Sequence, residues 1–112
     1  MYGQYLPKKP RRVLILGSGM SYHNMRGLMS GTGRSHSEAF DGWLTSAVAK
    51  APVERDAALT SWATAPSARE SHPREEHLLP LMVVAGAAGD DRGRNILRDD
   101  VMGACVSALQ FG

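Results

Sequence analysis

Residues 13–19 read VLILGSG, and the fold turns on them. Four apolar, mostly branched residues in a row suit a strand covered on both faces, as in a parallel sheet, rather than a strand with one wet face. The GSG that closes the run predicts a tight turn at the strand's carboxyl end. Beyond it, residues 20–31 carry Met25, Leu28 and Met29 at helical spacing, with Ser21 as the expected cap, until Gly31 and Gly33 break the pattern. A strand, a turn and a helix in that order point to an α/β chain.

Working outward, Phe40, Leu44, Ala47 and Val48 fall on one stripe with Trp43 beside them, which predicts an amphipathic helix capped by Ser35 or Ser37 after a polar Gly/Ser loop. Pro52 interrupts, and Ala58, Leu59 and Trp62 predict a shorter helix ending near Pro66. From Pro73 a further helix is expected, because a proline at the first helical position and Glu75 and Glu76 in the first turn suit the positive end of the dipole. His72 would then be its cap, and Pro80 would bend it. Gly89, Asp90 and Asp91 should stop it in a polar loop running to Asn95, and the tail from Val101 should be a strand joined to the sheet that VLIL begins.

A chain of 112 residues supports one core. The formal charge of +2 is small, and much of the basic excess lies at Lys8, Lys9, Arg11 and Arg12, with no aromatic residues interleaved to stack bases. Residues 1–11 therefore read as a basic polar leader ahead of one domain over 12–112, and a nucleic-acid partner is not expected. The longest uncharged apolar run, residues 78–89, contains Pro80 and falls short of the roughly 20 residues that cross a bilayer, so no membrane span is expected. A lone cysteine, Cys105, in an apolar context reads as a small buried hydrophobe and suggests a reducing, cytoplasmic location.

Four histidines carry most of the candidate chemistry. His36 lies in a Gly/Ser-rich stretch and reads as solvated. His23 stands just past the carboxyl end of the expected strand, the edge where open α/β sheets hold ligands; it is either an acid/base group near neutral pH or a ring that bonds the loop. His72, at the start of the expected helix, is a metal ligand or a cap, and the sequence alone leaves both open. His77 is five residues further on, not the four of a same-face helical pair, and no HExxH occurs. GSGMSY lacks the third glycine of a dinucleotide turn, and Ser18 lacks the spacing of a nucleophile elbow.

Taken in order, VLILGSGMSYHNMR, FDGWL, Trp62 with Ala65 and Pro66, and SHPREEHLLPLMVVAGAAG resemble successive signatures in the carboxyl-terminal half of the class III, LigB-type extradiol ring-cleavage dioxygenases, on the branch that includes DOPA 4,5-dioxygenase. The resemblance runs from about Arg12 to the end of the chain. It implies an α/β fold, a partial three-layer sandwich whose small central sheet is flanked by helices. It further implies a non-haem Fe(II) site, with zinc able to occupy it, that binds a catechol and dioxygen. By that resemblance His72 is a metal-binding histidine, His23 is the acid/base histidine and a further metal neighbour, and His77 is supporting. Two further metal-binding histidines of the family have no counterpart here, so the chain is expected to be a truncated form, inactive by itself and prone to self-association. A non-catalytic remnant or small interaction module that keeps the fold core is the alternative expectation.

Overall fold

The computed structural model describes residues 14–112. These build a mixed α/β globule of five helices and a two-stranded antiparallel sheet. In chain order the elements are α1 (Met25–Ser30), α2 (Arg34–Val48), α3 (Pro52–Thr60), α4 (Ala68–Ser71), α5 (Leu79–Ala87), β1 (Gly93–Val101) and β2 (Ala104–Phe111), with a short 3-10 turn over Trp62–Thr64.

Helix α2 is the organising element, because its apolar stripe is continuous. Phe40, Leu44 and Ala47 point inward and meet Leu59, Trp62 and Met82 in the main core. Burial of side chains this size stabilises the fold by roughly 1.5–3 kcal/mol each, before the entropy of ordering them. A second, polar row on the same helix faces the sheet. Ser37 Oγ accepts the Cys105 N–H at 2.7 Å, Asp41 accepts the Ser107 hydroxyl and pairs with Arg98 at 2.7 Å, and Thr45 Oγ1 accepts from Asn95 at 3.1 Å. Cys105 is buried as expected, and burial together with the nearby Asp41 charge pushes its thiol up.

The sheet is a hairpin. Met102 and Gly103 both have positive φ, 51° and 85°, the two-residue turn whose twist matches the strands it joins. The register runs from Gly93↔Phe111 to Val101↔Ala104, with a bulge between Asn95 and Leu97.

Several expectations are corrected. Residues 14–16 are not a strand, and Val13 lies outside the described residues. Leu14 and Leu16 are 85% and 84% exposed, because among the described residues the sheet holds β1 and β2 only and gives this run no neighbour to pair with. The tail's strand is therefore joined to Gly93–Val101, whose first three residues were expected to be loop, and not to VLIL. Helix α1 is capped by Asn24, whose side chain accepts the Gly27 N–H at 3.2 Å, and α2 by Gly33. Ser21 and Ser37 instead spend their hydroxyls on the β2 backbone. No helix starts at Pro73: residues 73–78 are turns, α5 begins at Leu79, and Pro80 sits in its first turn, where the missing N–H costs least. His72 consequently ends α4, with a backbone (φ −135°, ψ 85°) outside the helical region that a following proline disfavours. Among the described residues no helix is long and apolar enough to cross a membrane.

Candidate active site

Two stretches that are distant in sequence are stitched side by side. The Met20 N–H donates to the His77 carbonyl at 2.9 Å, the His23 N–H to the Ser71 carbonyl at 2.8 Å, and the Asn24 side chain to the Glu70 carbonyl at 2.7 Å. GSG explains the closeness: a side chain at Gly17 would meet Val84 and the Pro80 carbonyl, and one at Gly19 would run into the His77 carbonyl. These glycines give close packing on the start of α5, which answers why the motif is there without any nucleotide.

The stitching brings three of the four histidines together. The His23 and His77 rings stack with centroids 3.6 Å apart and planes 19° from parallel. His77 is exposed and His23 half-buried. Behind them His72 is fully buried, edge-on to Phe40 at 5.4 Å and to Trp62 at 6.2 Å. Its Nε2 lies 2.9 Å from the Ser21 carbonyl, and its Nδ1 is buried with no partner among the described residues. His36 stands apart on α2, exposed, with Nδ1 2.9 Å from the Ser67 hydroxyl. The sequence undervalued His77 because the five-residue separation was tested against helical geometry, and residues 73–78 are not helical.

Burial pushes the His72 ring below its ordinary 6.5; the Ser21 bond opposes this, while His23 and His77 add to it. The sign for stability follows. As pH falls through about 6.5 the unfolded chain takes up a proton that the folded ring refuses, so stability declines until the folded ring also protonates. Urea midpoints are expected to fall between pH 7.5 and 5.5, this ring contributing at most about 1.4 kcal/mol per pH unit. His72→Gln is expected to flatten that slope; an unchanged slope would assign the acid sensitivity elsewhere.

Beside His77 opens a groove of about 700 Å³, with Leu16, Leu81, Val84, Leu109 and Phe111 among its walls. Its size and apolar lining suit a small aromatic molecule. The donor set for a metal is incomplete. Imidazoles suit iron or zinc, but no group of three or more His, Cys, Asp or Glu among the described residues could hold an ion, and residues 1–13 contain none of these types. Nearly parallel stacked rings also direct their lone pairs along parallel planes rather than toward one point.

A fold core with a histidine cluster beside an apolar groove is thus the class of site in hand, and comparison with known proteins names the family. Residues 3–110 match the family of the catalytic LigB subunit of aromatic ring-opening dioxygenase, and the chain belongs to that family. It is 34% identical over 109 residues to a 4,5-DOPA dioxygenase extradiol of Beta vulgaris, covering 94% of this chain and 40% of that protein. It is 29% identical over 119 residues to the dioxygenase tasH of Hapsidospora irregularis, covering 93% of this chain and 36% of that one. The chain therefore spans about 40% or less of the length of these curated relatives. No solved structure matches it significantly.

Proposed function

We propose that this chain supplies the acid/base face of an extradiol ring-opening dioxygenase acting on a catechol-type substrate with dioxygen. The observation that carries the reading is the stacking of His23, from a separate stretch, on His77, which lines an apolar groove in a chain of this family. In this reading the groove holds the aromatic ring and keeps water from it. His23, in its neutral form, takes a hydroxyl proton from the bound diol and returns it later. His77 is the outward imidazole, better exposed to a metal than His72, whose Nε2 is already committed to Ser21. The Fe(II) expected of such a site would supply the activation of oxygen, zinc in its place could bind the diol but has no redox chemistry to offer, and the remaining donors to either ion would have to come from beyond these residues. A reducing, cytoplasmic setting suits both the lone thiol and ferrous iron.

Two measurements test this. Purified chain mixed with Fe(II) and a catechol is expected to show no oxygen uptake above background; robust uptake would show that the donor set is complete after all. When the matching stretch of the beet dioxygenase is replaced by this sequence, ring opening is expected, and His23→Ala in that chimera is expected to reduce the rate by about 10²–10⁴-fold. A chimera that folds, binds metal and opens no ring would sink the proposal. It would favour the second reading, a binding module that uses the groove and the bare Leu14 and Leu16, both more than four-fifths exposed, to hold another polypeptide.

A further inference from the structure

The buried ring of His72 has two nitrogens in unlike surroundings. A carbonyl oxygen can only accept, so at 2.9 Å from the Ser21 oxygen Nε2 must carry the hydrogen. That leaves Nδ1 as a bare lone pair beside the rings of Phe40 and Trp62, with no donor among the described residues to meet it. Such an orphaned atom is destabilising, a penalty that a leucine at the same position would not carry. The ring's visible gain is its hold on Ser21, and Ser21 is a junction: its hydroxyl accepts the Ser107 N–H at 2.8 Å, and two residues on is His23. His23 is then held from below by the Ser71 carbonyl, the residue next to His72.

We propose that His72 is a positioning residue, whose Nε2–H fixes the Ser21 carbonyl and thereby sets the His23 ring over His77. What the stacked pair is for rests on the dioxygenase reading; the tether itself does not. One bond at the end of a rigid ring controls where the next histidine stands. The same bond takes Nε2 out of any metal's reach, because ligation there would require loss of both the proton and the Ser21 contact.

Glutamine and asparagine at position 72 separate this from mere packing. A glutamine amide reaches about as far as Nε2 and can donate to Ser21, whereas an asparagine amide stops near the position of Nδ1. Imidazole nitrogen and carbon spectra of the full chain, with no substrate or metal present, read the outcome directly, since there are only four histidines to assign. The expected result in the wild type is a neutral His72 protonated at Nε2, keeping that proton when one equivalent of zinc is added. His72→Gln is expected to retain the ring-current shifts of the His23–His77 stack and His72→Asn to lose them, with the backbone amide spectra otherwise native. An Nδ1-protonated His72, loss of the Nε2 proton to zinc, or a stack that responds alike to both variants overturns the tether. Because no turnover is measured, its failure would leave the dioxygenase reading standing, and a chimera without activity would leave the tether standing.

Discussion

Arg55→Ala is expected to remove about 3–5 kcal/mol of stability, the largest loss from any single truncation in this chain. Arg55 is the largest fully buried side chain, with only 2% of its surface exposed. Each of its three guanidinium nitrogens has a partner. Nη2 donates to the Gly89 carbonyl at 3.1 Å, Nη1 to the Asp91 carbonyl at 3.0 Å, and Nε pairs with Asp56 at 3.3 Å, while the group lies 5.6 Å over the Phe111 ring. These carbonyls follow the end of α5, where the chain turns through Gly89 (φ 60°) and the helix dipole favours a cation. One side chain of α3 therefore ties α5's exit to the end of β2. Alanine would leave those carbonyls facing a void and Asp56 without its partner, so desolvation and cavity costs add. For a small domain whose total stability is about 5–15 kcal/mol, thermal unfolding followed by circular dichroism should fall by well over 10 °C. Arg55→Lys keeps the charge but loses the fork that spans both carbonyls, and is expected to lie between the two. A loss below about 1 kcal/mol in the alanine variant would show that water replaces the guanidinium and that the cap is not what holds α5.

Arg55 also shows what the sequence could and could not reveal. Periodicity found α2, because Phe40, Leu44 and Val48 have no other way to be buried together, and it found the stop at Gly89, where only an unsubstituted residue turns cheaply. It placed Arg55 on a helix but carried no sign that its head would be buried 34 and 36 residues away in sequence. VLIL misled for a different reason: apolarity says that a run would be buried beside a partner strand, not that a partner stands there. The tail's strand was legible but its partner was not, because the polar loop expected to run to Asn95 covers the start of β1 and Arg94, Arg98, Asp99 and Asp100 obscure its apolar alternation, although these residues line one strand of a ladder and Arg98 pays for its place by pairing with buried Asp41. At the site, the meeting of His23 with His72 was legible only through resemblance to a family. The stack with His77 was hidden by a wrongly expected helix, since turns over residues 73–78 bring round a ring that helical spacing would have pointed away.

Gly19→Ala is expected to cost about 2–4 kcal/mol and to pull the histidine pair apart, a larger effect than a methyl group on a loop ordinarily has. The demand at Gly19 is for space and not for conformation, since its φ is not positive. A Cβ there would overlap the His77 carbonyl oxygen and sit 3.2 Å from the Pro80 ring. A side chain could swing aside; a carbonyl held at the entry to α5 cannot. The loop must retreat, breaking the Met20 N–H bond to His77 and, with it, the alignment that carries His23 over His77. The overlap and the lost hydrogen bond together give the estimate. Gly42 supplies the control, because it lies inside α2 with nothing near its missing Cβ, so Gly42→Ala should stabilise by about 0.5–1 kcal/mol. Unfolding midpoints and the ring-current shifts of His23 and His77 measure both effects. If Gly19→Ala kept the stack and the midpoint of the wild type, the close approach of the GSG turn to the HPREEH stretch would not be what assembles the site.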